Sequence, residues 1–304
     1  MVNGKPGAQR NKWKPDSVLV WKEPTGGTLM QCLEAKLTDH KRTAIKALLK
    51  YNQVAINSSP TTQFNAPVAA GDTLAVNFTR PFVVFSHPRM QLVYEDEDII
   101  VVNKSYGLLS VSTDKVKEGT AYSILRDYLK RKDPRLMLFV VHRLDRDTSG
   151  LMMFAKSVEA KEAMQHNWNN MVLDRRYVAV VEGKVEEESG TLRSYLGETS
   201  QFEVYSSQNP EDGQLAITRW RRLLTKNGYS LMELSLDTGR KNQIRVHMKD
   251  LGHPIVGDRK YGAKSSPIHR LALHAKTLHF AHPMTKREMM FDTPIPSRFM
   301  SLLK

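Results

Sequence analysis

Residues 139–155, FVVHRLDRDTSGLMMFA, place a dense polar cluster between two apolar runs. Phe139-Val140-Val141 reads as the end of one strand and Leu151–Ala155 as another. The charged segment His142–Gly150 then joins them. A rigid sheet presents reactive groups on loops of this kind. Gly150 permits an unusual backbone angle or a close approach of another chain segment. Asp145, Asp147, Thr148 and Ser149 can also form a plain turn through local hydrogen bonds, so the loop by itself leaves both readings open.

Outward from this loop, strand-like runs fall at Ile99–Asn103, Tyr177–Val181, Leu215–Leu224 and Tyr229–Leu236. Helical runs are fewer: Thr120–Lys132, Ser157–Trp168 and Lys241–Leu251. Asn227-Gly228 between two apolar runs is a hairpin signal, because both residues accept positive φ. Hairpins imply antiparallel pairing, and the interspersed helices point to an α+β domain with a mixed, largely antiparallel sheet over residues 92–304. Residues 81–91, with Pro81 and Pro88, read as an extended linker. Before it, residues 28–80 form a small α/β pattern. Residues 41–51, KRTAIKALLKY, fit an amphipathic helix with Ile45, Leu48 and Leu49 on one face. Arg42, Lys46 and Lys50 lie four apart on another face, where their like charges repel and an anionic partner would relieve them. Short strands are expected at Gln53–Asn57 and Asp72–Phe78. Residues 1–27 are read as a basic tail carrying Lys5, Arg10, Lys12 and Lys14.

The 304 residues include 45 Lys+Arg against 32 Asp+Glu, a net charge of +13. Such an excess favours a polyanionic partner, since each neutralised phosphate releases a counterion. No apolar run approaches the roughly 20 residues that span a bilayer, and the basic N-terminus lacks the apolar core of a secretory signal. Cys32 is the single cysteine, which excludes an intrachain disulfide and a Cys-rich zinc site. A reducing cytoplasm is the expected compartment.

Three chemistries can be weighed on the loop. A Ser-His-Asp hydrolase lacks its GxSxG elbow. A metal site built on His247, His253 and Asp258 lacks a recognised ligand spacing. A single catalytic carboxylate, able to attack a sugar carbon, remains. It must stay ionised in a water-excluding pocket, which requires a cation beside it. Residues 238–248, TGRKNQIRVHM, supply Arg245 at the edge of an apolar helical stripe, where an Arg can enter a pocket or simply snorkel. Thr238 is expected to cap that helix, and Gly252 to end it. Residues 175–183, RRYVAVVEG, put Tyr177 beside two cations, which suits a base stacked near phosphates, although a strand Tyr is as readily core.

In order along the chain, IIVVNKSYGLLSV, HRLDRDTSGLMMFAKS, RRYVAVVEG, LDTGRKNQIRVHMKDLGHPIVGDRKYG and RLALHA resemble the motifs of the RluA branch of the pseudouridine synthases. His142 favours this branch over the RsuA branch, where Gly is expected. The stretch from Arg42 through VAIN to PVAAGDTLAV resembles the S4 RNA-binding module, with Asn52-Gln53 and Ser58 where that module usually carries Gly. Asn takes the left-handed conformation readily, so the module survives the exchange.

The resemblance implies conversion of uridine to pseudouridine in RNA, with no cofactor and no metal. It implies Asp145 as the catalytic carboxylate, Arg245 as its ion-pair partner and Tyr177 as the residue stacked on the flipped uracil. Arg143 would fill the space that the base leaves, and Arg42, Lys46 and Lys50 would hold RNA. A base inside a helix cannot expose its glycosidic carbon, so it must leave the stack. The expected partner is RNA, with large-subunit ribosomal RNA preferred and tRNA the alternative; no membrane or obligate protein partner is implied. A non-catalytic RNA-binding or ribosome-assembly factor is the competing class. Ser105 replaces the family's usual Pro, and Asn242 its usual His; neither exchange removes the Asp/Tyr/Arg set.

Overall fold

A computed structural model describes residues 17–114 and 116–304. The basic stretch holding Lys5, Arg10, Lys12 and Lys14 lies outside the described residues. The chain divides into two compact units, one ending at Val84 and the other running from Phe85 to Lys304.

The first unit contains strands β1 (Val18–Lys22), β2 (Gly27–Thr28), β3 (Val54–Ile56), β4 (Ser59–Pro60), β5 (Pro67–Val68) and β6 (Thr73–Asn77). Its helices are α1 (Leu29–Lys36) and α2 (Arg42–Lys50). Thr28 and Gln31 cap α1 reciprocally, which satisfies N–H groups that a helix start leaves unpaired. Ile45, Leu48 and Leu49 of α2 are buried with Leu29, Leu33, Val54, Leu74 and Val76. Arg42, Lys46 and Lys50 stay exposed on its outer face. Arg42 reaches Glu34 at 3.2 Å, which eases part of the repulsion along that face. Asn52 and Ser58 stand at φ 57° and 65°, in the left-handed region. One expectation needs correction: residues 18–22 were read as tail, yet β1 pairs antiparallel with β6 from Val18↔Asn77 to Lys22↔Thr73. Its alternating half-buried and exposed residues mark a strand that covers only one face.

The second unit is built on a sheet of eleven strands. In chain order these are β7 (Met90–Glu95), β8 (Ile99–Lys104), β9 (Phe139–Val140), β10 (Ser149–Ala155), β11 (Val172–Glu182), β12 (Ser189–Glu198), β13 (Val204–Ser207), β14 (Gln214–Lys226), β15 (Tyr229–Leu236), β16 (Leu273–Ala281) and β17 (Glu288–Asp292). The helices are α3 (Ala121–Lys132), α4 (Val158–His166), α5 (Trp168–Met171), α6 (Gln243–Asp250) and α7 (Ser297–Ser301). The main path runs β13-β12-β14-β15-β11-β16-β10-β8-β7, with β17 on β16 and β9 on β10. The pairings are antiparallel except β10 with β16, so the mixed α+β sheet expected from the hairpin signals is the one present. Asn227 and Gly228 turn β14 into β15 at φ 53° and 76°. The linker read over 81–91 is shorter than expected, because β7 starts at Met90.

All seven residues of β10 are buried, which explains its unbroken apolar run. Gly150, the second residue of this strand, stands at φ 118°, opposite Ala275 of β16. A Cβ at Gly150 would overlap the Ala275 backbone. Gly150→Ala is therefore expected to cost about 3–5 kcal/mol, from a strained φ together with overpacking against main chain that cannot rotate away. A fall in the denaturant midpoint without a change in slope would report it.

Candidate active site

The His142–Thr148 loop runs from β9, which pairs with the end of β10, back to the start of β10, and is pinned at three points. The Met153 N–H donates to His142 Nε2 at 2.9 Å. Ser110 Oγ donates to the Leu144 carbonyl at 2.6 Å and accepts the Leu144 N–H at 3.1 Å. Lys104 Nζ, wholly buried, donates to the carbonyls of Ser105, Leu108 and Arg146 at 3.1, 2.8 and 3.2 Å. Burial pushes the Lys104 amine down to about 7, although Asp145 and Asp147 pull it the other way. His142 is pushed down to about 3 by burial and by Arg175, so at neutral pH it is an uncharged acceptor for Met153.

Between these anchors Asp145 lines a cavity of about 470 Å³. Among the described residues no hydrogen bond ends on its carboxylate. Burial raises its pKa, and the charges of Arg245, Arg143 and Lys104 only partly offset that. Tyr177 on β11 forms another wall; it is 9% exposed, and burial raises its phenol pKa. Arg143 is exposed at the same cavity. Arg245 enters from α6. The structure thus brings Asp145, Tyr177, Arg245 and Arg143 around one space. Arg42, Lys46 and Lys50 belong to the first unit and line no part of it.

The expected ion pair between Arg245 and Asp145 is not formed. Arg245 instead makes a forked pair with Asp258, Nε to Oδ2 and Nη2 to Oδ1, both 2.7 Å. Asp258 is 2% exposed, and Arg245 also lies 4.9 Å over the Tyr261 ring. The physical reason is geometric: Asp258 presents both oxygens to the guanidinium fork, the arrangement that binds it best. Arg245 consequently acts on Asp145 through its field alone, as the largest of the influences favouring the ionised form.

Asn242, not Thr238, stands at the start of α6, and its side chain makes no capping hydrogen bond to the helix backbone. It opens α6 in the left-handed region at φ 54°, so the helix begins at Gln243 rather than near Arg240. Its Oδ1 accepts from Arg245 Nη1 at 3.1 Å, and its Nδ2 donates to the Tyr261 hydroxyl at 2.9 Å. Thr238 donates to Gln243 Oε1 instead of capping the backbone. Gly252 does follow the helix in the left-handed region, at φ 84°. The metal reading fails on the same grounds of placement. His247 is bonded to the Ser194 and Thr218 hydroxyls, His253 to the Glu182 carbonyl, and Asp258 to Arg245.

Sequence reasoning weighed Asp258 only as a metal ligand and missed it as the partner of Arg245. It also treated Arg175 and Arg176 alike. Arg176 pairs with Asp174 at 2.7 Å, whereas Arg175 lines the cavity.

This geometry can be set beside known proteins. A model of RNA pseudouridylate synthases matches residues 98–250. The chain is 35% identical to an uncharacterised RNA pseudouridine synthase of Bacillus subtilis, YjbO, over 77% of this chain and 84% of that one. The chain belongs to the RNA pseudouridylate synthase family. This pseudouridine synthase is also 30% identical to the ribosomal large subunit pseudouridine synthase D of Escherichia coli K12, over 92% of its own length and 90% of the relative's. The solved structure of human RNA pseudouridylate synthase domain containing 4 shares its fold, with a TM-score of 0.57 at 22% identity over 69% of this chain and 90% of that one. Human RNA pseudouridylate synthase domain containing 1 gives 0.54 at 26% identity, over 70% and 86%. Its relatives place this synthase in the RluA branch. It is an enzyme that isomerises uridine to pseudouridine in RNA.

Proposed function

We propose that the synthase acts on a uridine of large-subunit ribosomal RNA, with Asp145 as the carboxylate that reacts at the ribose. The observation that supports this best is the enclosed carboxylate itself: Asp145 faces a cavity walled by Tyr177, with cations around it but none bonded to it. Its lone pairs are free for a sugar carbon. In the reaction the N1–C1′ bond breaks, the uracil turns, and C5 bonds to C1′ with loss of the C5 proton.

Each neighbour has a distinct task in this reading. Tyr177 stacks on the extruded uracil and stays a neutral phenol, as its raised pKa requires. Arg245 supplies the positive field that opposes the desolvation of Asp145. Arg143, planar and exposed at the cavity mouth, fills the gap in the RNA stack. Arg42, Lys46 and Lys50, on the outer face of an S4-like first unit, hold phosphates, so binding by that unit weakens as salt rises. The ribosomal target rests on the similarity to ribosomal large subunit pseudouridine synthases D.

The test is a transcriptome-wide map of pseudouridine in total RNA from cells with and without the gene. Loss of a site in large-subunit ribosomal RNA is the expected result. Loss confined to tRNA would replace the ribosomal target while leaving the chemistry intact.

A further inference from the structure

We propose that Arg175 is the base-stacking floor of a second subsite, which takes the nucleotide next to the extruded uridine on the same RNA strand. This deepens the reading above and rests on its account of the uridine cavity.

Arg175 stands at a junction. It lines the uridine cavity and also an adjoining one of about 210 Å³ that includes Trp168, Leu236 and Asp237. A uridine drawn into the first space leaves its covalent neighbours at the rim, so the second space lies within a single nucleotide step. Arg175 is also a cation without an acidic partner: among the described residues no carboxylate oxygen lies within 4.0 Å of it, in contrast to Arg176. Among the described residues its side chain makes one hydrogen bond, to the Leu236 carbonyl at 3.5 Å.

The guanidinium is backed by a built stack. Its carbon lies 5.5 Å from the Trp168 ring centroid. The Trp168 ring in turn packs against His142, with centroids 5.3 Å apart. His142 is fixed to β10 through Met153. Trp168 is thus engaged by both neighbours, and Arg175 ends the series beside open space. A guanidinium plane held in this way accepts a base on its free face, and its charge favours the adjacent phosphate.

Gly239 supports the same assignment from the facing loop. Its φ lies outside the left-handed region, so backbone conformation does not demand a glycine. A Cβ there would sit 3.0 Å from Arg175 Nη1 and 3.6 Å from Nη2. The glycine keeps room for the guanidinium.

Total RNA from cells lacking the gene is the substrate for the test, since it contains the target whether that is ribosomal or transfer RNA. Pseudouridine formation by the full-length protein is measured against RNA concentration. Arg175→Gln is expected to raise KM about tenfold, the scale of one lost base stack, while kcat changes less than about twofold. Arg175→Lys, which keeps charge and loses the plane, should fall between the two. Gly239→Ala should raise KM in the wild-type background and add nothing in Arg175→Gln, because both act through one side chain. Trp168→Phe, which keeps an aromatic backing, should stay near wild type, and Trp168→Ala should resemble Arg175→Gln. An unaltered KM in Arg175→Gln overturns the subsite, as does a Gly239→Ala effect that persists without Arg175. If Arg175→Gln does not fold, Gly239→Ala and the two Trp168 variants decide by the same measure. The mapped position of the new pseudouridine separately tests the ribosomal target, so either claim can fail alone.

Discussion

Asp145→Asn is expected to abolish pseudouridine formation while leaving RNA affinity within about twofold of wild type. The carboxylate is the one group in the cavity that offers an unbonded anionic oxygen, and an amide is no nucleophile. The substitution keeps size and shape, so the cavity still receives the base. Tritium release from 5-tritiated uridine in RNA measures the reaction, and a filter-binding titration measures affinity; residual turnover above about one part in a thousand would sink the assignment of Asp145. Two further readouts follow from its raised pKa. Wild-type activity needs the ionised form, so the acid limb of the pH–rate profile should lie above the ordinary aspartate value of 3.8. On stability, a group whose folded pKa is raised stabilises the fold below its unfolded pKa. That contribution is lost as pH rises through the folded pKa. The Asn variant should therefore melt higher than wild type at neutral pH, and the gap should close in acid.

The second large effect is expected at Asp258. Its forked pair with Arg245 is almost entirely shielded, with side-chain exposures of 13% for Arg245 and 1% for Asp258. Removing one partner of a buried pair strands the other charge, and Asp258→Ala should cost about 3–5 kcal/mol of stability. It should also harm catalysis, although Asp258 has no part in the reaction itself. Arg245 would lose the carboxylate that fixes its position, and Asp145 offers a nearby alternative. A guanidinium bonded to Asp145 would occupy the lone pairs that the proposed attack on the ribose requires. A fall in kcat of about a hundredfold is the scale expected from misplacing such a group. Asp258→Asn, which keeps one acceptor, should fall between Ala and wild type. Chemical denaturation together with single-turnover kinetics separates the two losses, and an unaffected single-turnover rate in folded Asp258→Ala would remove Arg245 from the reaction.

Much of this arrangement was legible in the sequence, for reasons that can be named. The α2 helix announced itself through Ile45, Leu48 and Leu49, because an isolated amphipathic face has one packing solution. The β14–β15 hairpin followed from Asn227-Gly228, since few other pairs accept two positive φ angles. The reactive loop stood out because charged residues interrupt an otherwise buried run. Other features depended on chain segments meeting in space. Whether Arg245 pairs with Asp145 or Asp258 turns on which carboxylate faces its fork, and both are acids in polar stretches. Thr238 carries a good capping side chain, but Asn242 took the helix start by adopting a conformation that only a few residues tolerate. Strand β1 was obscured because Val18–Trp21 follows a basic stretch, and an edge strand buries too little to show a strong pattern.

The seam between β10 and β16 bears on how the enzyme matures. These strands run parallel and touch at Ser149↔His274 and Gly150↔Ala275, joining segments far apart along the chain. Contacts of such long sequence separation are slow to form. During synthesis, the loop holding Asp145 lacks its final neighbour until nearly the whole polypeptide has been made. The first unit, complete by Val84, is finished far earlier. A nascent chain would in this way complete its first unit well before it gains catalytic competence, and shortening the protein ahead of Leu273 would leave that unit intact while removing the seam beside the Asp145 loop.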